Sequence, residues 1–557
     1  MIADIHITEK SFGAKNLMSN IRFSINDGEK IGIIGRNGIG KTTLFGILSG
    51  DDIDYSGEIN FRRGAVITKT SQEHANINSD QTVTEYILNG LPEFAKLDKI
   101  IREYPKIMGD NFRKISEYTE ALQRFTDLGY FQISEKIKRE LGNFQLNGYE
   151  NTLFAKLSGG QKRLAEIVKI MQSNAHLALI DEPTNHMDYL AKNQFIDWLK
   201  NAQESILVIT HDRDVLREVD RIIELKDGFA ANYPGNYDAY LKQNAQHTST
   251  NMNDYENVQR QIENLKKRIQ YARSKKASWG GTADKKNPFV VMEEHAKKDL
   301  VELEKIAKPS FWIDRESVSE LTHKSAENYA KFKTKNIRMH GINTEESKSR
   351  RTLVSAKNLS LGYNSPLFSD VNFELRETTA IELRGRNGAG KTTLIKAILK
   401  TFSGNELNEN PQLFAGELKV DKNMKVGVYQ QEIDTKYFDL QLFDAIEKMY
   451  LDKKLDISRQ KIMQLMSDYL FDPIGDAAIP VANLSGGQKA RFQLIAMLAE
   501  SPQLLILDEP TNHLDLPSIE ELETALAKYS GAILYVSHDN YFRRKLGGEI
   551  IKIGANS

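Results

Sequence analysis

The pentapeptide Leu157-Ser158-Gly159-Gly160-Gln161 returns as Leu484-Ser485-Gly486-Gly487-Gln488 within a chain of 557 residues. Each copy lies between a glycine-rich loop pattern and an apolar run that ends in Asp-Glu. Ser158, Glu182 and His211 map onto Ser485, Glu509 and His538 by one constant offset of 327 residues. Equal spacing across so much of a chain means one folding unit used twice. The length exceeds one ordinary domain, and an apolar content of 40% is ample for two cores.

Gly35-Arg36-Asn37-Gly38-Ile39-Gly40-Lys41-Thr42 and Gly385-Arg386-Asn387-Gly388-Ala389-Gly390-Lys391-Thr392 both read G-x-x-x-x-G-K-[ST]. The first follows a buried-strand pattern, Lys30 to Ile34, and precedes a helix pattern, Leu44 to Leu48. Backbone N–H groups of such a loop cradle phosphates at a helix N-terminus, where the dipole favours anions. Gly35, Asn37, Gly38, Gly40 and Thr43 would line the first cradle, and Gly385, Asn387, Gly388, Gly390 and Thr393 the second. Lys41 and Lys391 would reach the β- and γ-phosphates, and Thr42 and Thr392 would hold Mg²⁺.

Leu177-Ala178-Leu179-Ile180-Asp181-Glu182 and Leu504-Leu505-Ile506-Leu507-Asp508-Glu509 are strand-length apolar runs that end in two acids. A buried strand delivers such acids to its C-terminal edge, where α/β sheets bind ligands. Asp181 and Asp508 would orient Mg²⁺ through water, and Glu182 and Glu509 would polarise the attacking water. Both pairs continue as Pro-Thr-Asn-His-x-Asp, to Asp188 and Asp515. His211 and His538 follow the next apolar strands and complete the two catalytic sets. Gln72 and Gln431 are candidates for a metal- and water-contacting glutamine, although Gln430 neighbours the latter. Phe12 and Tyr363 precede the two loops and would stack on adenine or pack in the core.

The chain has no cysteine, which excludes disulfides and thiolate metal sites and fits a reducing cytosol. Met1 to His6 shows no secretory signal, and no apolar run approaches the ~20 residues of a membrane span. The two repeated units therefore carry no pore of their own, and a cytoplasmic location is expected.

Two stretches fall outside the duplicated pattern. Gln72 to Ser158 spans 86 residues against 54 from Gln431 to Ser485. The surplus predicts a small helical hairpin within about 85–146 of a front cassette that runs from 1 to 242. A connector over 243–350 then precedes a rear cassette over 351–557. Val258, Ile262, Leu265 and Ile269 follow the spacing of a helix-pair seam, matched by Phe289, Met292, Ala296, Leu300 and Leu303. The pattern predicts an antiparallel helical hairpin with a tip at about 276–290. Residues 251–350 carry 21 Lys+Arg against 15 Asp+Glu, a net of +6 in a chain of −1. A solvated charged coil accounts for such a run. Contact with a polyanionic phosphate backbone also does, with Lys266, Lys267, Arg268, Arg273, Lys275, Lys276, Lys285 and Lys286 clustered and Trp279 and Phe289 available to stack on bases.

A Ser-Gly-Gly loop offers a hydroxyl and N–H groups to a γ-phosphate, yet Ser158 lies 117 residues beyond its own Lys41. With its full motif set in duplicate, the chain resembles the ATP-binding cassette proteins. The doubled Leu-Ser-Gly-Gly-Gln, the doubled Asp-Glu-Pro-Thr-Asn-His-x-Asp and Tyr233-Pro234-Gly235-Asn236-Tyr237-Asp238-Ala239-Tyr240-Leu241 at the connector entry make it similar to the F subfamily. The resemblance implies a fold of two tandem α/β P-loop ATPase domains joined by a coiled-coil linker. It also implies a head-to-tail sandwich within one monomer. ATP on Lys41, Asp181 and Glu182 would be closed by Ser485, Gly486, Gly487 and Gln488. ATP on Lys391, Asp508 and Glu509 would be closed by Ser158, Gly159, Gly160 and Gln161. Members bind the ribosome near the tRNA exit site, with the connector directed at the tRNA and the peptidyl-transferase centre. Some are translation factors and others relieve ribosome-targeting antibiotics. The long connector and Trp279 favour ribosome protection over a general translation role, and a transporter motor or DNA-repair ATPase is a more distant alternative. Met187 and Val215 depart from the family pattern without touching the chemistry, and no C-terminal nucleic-acid-binding extension is expected.

Overall fold

The structure is a computed structural model that describes residues 1–12, 15–70, 80–107, 109, 111–144, 146–185, 187–226, 228–277, 287–304, 351–403, 411–429, 433–512 and 514–554. Gln72, Gln431, Trp279, Lys285 and Lys286 lie outside the described residues. The chain divides into two compact units. Met1–Tyr237 with Asn336–Ser557 form one, and Asp238–Lys335 the other.

Both cassettes belong to the first unit. The front cassette carries a sheet of six strands in the order Ile67–Lys69, Leu177–Asp181, Ser205–Ile209, Lys30–Gly35, Arg221–Lys226 and Phe229–Pro234. Neighbours are parallel except for the last pair. Leu177–Asp181 and Ser205–Ile209 are buried at every position, as continuous apolar runs covered on both faces must be. An antiparallel sheet of Lys15–Ile25, Ala3–Phe12 and Ser56–Phe61 packs against the first. Ile5, Ile7, Ile31, Leu44, Phe45 and Leu177 meet in the core between them.

The rear cassette repeats the plan. Val426–Tyr429, Leu504–Asp508, Ala532–Val536, Ala380–Arg384 and Glu549–Lys552 form its parallel sheet, and Pro366–Arg376, Thr352–Gly362 and Gln412–Val420 its antiparallel one. In both parallel sheets, the strand leading into the phosphate loop and the strand ending in Asp-Glu flank the strand that leads to the histidine. Three separated stretches of sequence therefore converge on one sheet edge.

Two helices, Leu442–Asp452 and Arg459–Asp468, precede the rear Ser485. The front cassette has Val83–Asn89 and Ile133–Asn143 in the corresponding order, with Phe94–Ile107 and Phe112–Asp127 inserted as a hairpin between them. Phe94, Phe125 and Tyr130 close the base of that hairpin, with ring centroids 5.3–5.8 Å apart.

The second unit is built on the helices Tyr237–Ala277 and Pro288–Glu304. Ile262, Ile269 and Ala272 on one and Ala296 on the other are buried. Glu293 is buried to 6% exposure in the same seam, bonded to Arg273 at 3.0 Å and to Lys297 at 2.7 Å. Phe289 meets the edge of Tyr271 at 6.4 Å, so its ring takes part in hairpin packing. Among the described residues no helix is long and apolar enough to cross a membrane.

Candidate active site

The phosphate loops turn where an L side chain is disfavoured. Gly38 and Gly388 have φ of 78° and 80°, the left-handed region that glycine enters without strain. Each loop then runs directly into a helix, Lys41–Ser49 in front and Lys391–Ser403 behind. Lys41 Nζ donates to the carbonyls of Gly35 at 2.6 Å and Arg36 at 3.2 Å. Lys391 does the same with Gly385 at 2.8 Å and Arg386 at 3.0 Å. Burial holds both ammonium groups below the usual lysine pKa, with acidic neighbours working the other way.

Thr42 Oγ1 donates to Asp181 Oδ2 at 3.0 Å, and Thr392 Oγ1 to Asp508 Oδ2 at the same distance. Hydroxyl and carboxylate oxygens brought together beside a phosphate cradle are the hard donor set Mg²⁺ takes. Burial pushes the Glu182 carboxyl up to about 8, helped by Asp181 beside it. Burial likewise lifts Glu509 to about 7, and burial with the Glu509 charge lifts Asp508 to about 6. Bound cations would relieve this crowding.

Glu182 and Glu509 have φ of 46° and 51°, a conformation that costs a non-glycine residue on the order of 1 kcal/mol. The backbone N–H of each donates to the histidine strand, Glu182 to Ile209 at 2.8 Å and Glu509 to Val536 at 3.0 Å, which holds the bend. His211 Nε2 lies 3.6 Å from Glu182, and His538 Nε2 3.2 Å from Glu509. Burial, with a lysine nearby, depresses both rings to about 3, so they are neutral at physiological pH.

Each site is completed from the other cassette. A cavity of about 980 Å³ is lined by Ser158, Gly159, Gly160 and Gln161 from the front and by Asn387, Gly388, Gly390, Lys391, Thr392 and Thr393 from the rear. Tyr363, Asp508, Glu509 and His538 line it as well. In the front site, a Cβ on Gly487 would lie 2.1 Å from Asn37 Nδ2, so the rear signature loop seats directly on the front phosphate loop. The Phe12 side chain lies outside the described residues.

Ser158 and Ser485 cap the helices Gly159–Gln172 and Gly486–Leu498. Gln161 and Gln488 return a carboxamide oxygen to the serine N–H at 3.0 Å, which makes each signature a capping box and points a helix N-terminus at the opposite loop.

The structure adds residues with no assigned role in the sequence reading. Asp188 caps the helix Tyr189–Asn201 through Ala191 N–H at 3.0 Å and accepts Asn387 N–H at 3.2 Å. Asp515 mirrors it, accepting Ser518 N–H at 3.1 Å and Asn37 N–H at 3.2 Å. Their place at the end of the repeated Pro-Thr-Asn-His-x-Asp run was the available signal.

Two phosphate cradles, each shut by a helix N-terminus from the other half, define an ATP-binding cassette ATPase. The family model described as ABC transporter matches residues 18–185 and 368–512, and a companion extension model of that description matches 223–319. The putative ATP-binding protein YdiF of Bacillus subtilis is 28% identical, over 100% of this chain and 80% of its own length. The ribosome protection protein VmlR of Bacillus subtilis is also 28% identical, over 99% of this chain and 87% of its own. ABC transporter F family member 2 of Arabidopsis thaliana is 27% identical, over 98% and 75%. Among solved structures, archaeal ribosome recycling factor aABCE1, in complex with ribosomal stalk protein aP1, shares the fold at 16% identity, with a TM-score of 0.52 over 99% of this chain and 90% of that one. The chain belongs to the ATP-binding cassette family, in its F branch. Domains of this family bind ATP with Mg²⁺ and hydrolyse it.

Proposed function

We propose that the protein is an ATP-driven clamp that works on the ribosome in the cytoplasm and protects it from antibiotics. ATP and water give ADP and phosphate, and the product that matters is the closed state. The reciprocal bonds Asn37–Asp515 and Asn387–Asp188 carry this reading, because each ties one cassette's phosphate loop to the other cassette. Phosphoryl transfer in such a site is mostly positioning and charge stabilisation. Lys41 and Lys391 meet the phosphates, Glu182 and Glu509 orient the attacking water, and neutral His211 and His538 accept or donate beside the γ-phosphate. Thr42 with Asp181, and Thr392 with Asp508, would hold Mg²⁺, which neutralises phosphate charge.

The closed form docks on ribosomal RNA near the tRNA exit site, and the basic hairpin extends toward the tRNA and the peptidyl-transferase region. The protection role is supported by VmlR, a relative of the same length class named ribosome protection protein. A general translation factor is the second reading, because YdiF is equally similar and is named only for ATP binding. The test is a chain carrying Glu182→Gln and Glu509→Gln, sedimented with ribosomes. Retention in ATP but not in ADP supports the clamp, and equal retention in both contradicts it. Growth of a sensitive host on a panel of peptidyl-transferase inhibitors separates the two roles.

A further inference from the structure

The two cassettes differ at the seam between their sites. Lys192 Nζ bonds Asp212 at 2.8 Å and Asp214 at 2.7 Å, and the side chain is 4% exposed. A buried ammonium is tolerated only when such partners offset its lost hydration. The offset of 327 places Ile519 at the equivalent rear position, and Ile519 is 2% exposed. An apolar side chain thus fills the same place in the rear copy, so the fold does not require the charge.

Lys192 lies one helical turn beyond Asp188, with its backbone N–H donating to the Asp188 carbonyl at 2.9 Å. Asp188 holds the rear phosphate loop through Asn387. At its other end, Lys192 grips the turn Asp212–Asp214 that directly follows His211 of the front site. The path from Asn387 through Asp188, Lys192 and Asp212 to His211 therefore links the rear phosphate loop to the front histidine by short, directional contacts. The rear copy has Asp515, Ile519 and Asp539 in the corresponding places, and Ile519 has no charge to offer Asp539. Asp214 also accepts from Asn540 at 2.7 Å, two residues past His538, so both histidine turns meet at this point. Glu182, Glu509, His211, His538 and Lys192 all border one cavity of about 50 Å³, room for one or two waters.

We infer that Lys192 is a positioning residue that makes turnover at both sites depend on the state of the rear phosphate loop, with no matching charged link from the front loop among the described residues. Binding coupling between two sites is reciprocal, but rates of chemistry need not be. The link is therefore read in hydrolysis rates. The inference rests on the ATPase reading above.

The experiment uses the full chain and measures ATP hydrolysis site by site. Glu509→Gln leaves the front site to turn over, and Glu182→Gln leaves the rear. Lys192→Met in the first background is expected to change kcat by about fivefold or more, with KM for ATP unchanged. In the second background kcat should change comparably, because Asp214 also holds Asn540 of the rear turn, and Lys192→Arg should restore both rates. If Lys192→Met does not fold, Asp214→Asn, which removes one of the two carboxylates, carries the same comparison. An unchanged kcat in either background overturns the inference alone. Turnover that persists in the Glu182→Gln/Glu509→Gln chain overturns the reading of the sites and this inference with it.

Discussion

Arg213 Nη1 donates to Glu523 at 2.9 Å across the boundary between the cassettes, with both side chains under 10% exposed. The same guanidinium lies over the Tyr541 ring at 4.9 Å. A buried pair of this kind is costly to break from one side, by about 3–5 kcal/mol, yet replaceable by apolar groups of similar volume. Glu523→Gln should therefore loosen the pairing of the cassettes and lower the unfolding temperature. Arg213→Met with Glu523→Leu should recover most of the loss. A thermal melt of the two variants beside the unsubstituted protein checks it, and a double variant that melts below Glu523→Gln would contradict it.

The connector offers a pH test. Hydrogen bonds from Lys297 and Arg273 hold the Glu293 carboxyl down to about 2, from a usual value of 4.5. A depressed carboxylate stabilises above its unfolded pKa, and that contribution fades as the pH falls toward the folded one. The hairpin should hold at pH 7 and weaken between pH 4.5 and about 2. Glu293→Gln should mimic the acid state at pH 7 and add little at pH 2. Limited proteolysis of the connector at the two pH values reads this.

The basic hairpin predicts a salt signature on the ribosome. Each lost phosphate contact reduces the slope of log K against log salt by about 1. Lys267→Gln, Arg268→Gln and Lys275→Gln together should weaken ribosome binding and flatten that slope, while ATP turnover without ribosomes stays unchanged. An unaltered slope in a salt titration would leave the charge as a solvated face.

The doubled motifs were legible because phosphate chemistry fixes residue type at fixed spacing. Lys41, Thr42, Asp181 and Glu182 converge through strand order alone. Contacts between the copies were not legible from periodicity. Asp188 and Asp515 meet backbone N–H groups 199 and 478 residues away, and any residue type supplies a backbone N–H. The sequence presents Gln161 and Gln488 as nucleotide contacts, and the structure adds that their carboxamides close capping boxes, a helix-start signal that the glycines obscure. Phe289 was open to two readings, base stacking or hairpin packing, and Tyr271 across the seam shows the second.

Mixed sites also predict that damage crosses the chain. Gly487→Val should collide with Asn37, because even a single Cβ there would sit 2.1 Å from Nδ2. Turnover at the Lys41 site should fall, while ATP binding at the Lys391 site, measured with a fluorescent analogue, should persist. Loss at the Lys391 site alone would reverse the assignment.

The most direct measurement places Ser485→Arg in the Glu509→Gln chain, so that only the front glutamate supports turnover. A bulky cation at the N-terminus of the helix Gly486–Leu498 blocks the seat of that helix on the front loop. Sharing of sites predicts that hydrolysis at the Lys41 pocket is lost although every residue of the front cassette is intact. Hydrolysis at the unaltered rate would show that each cassette works alone.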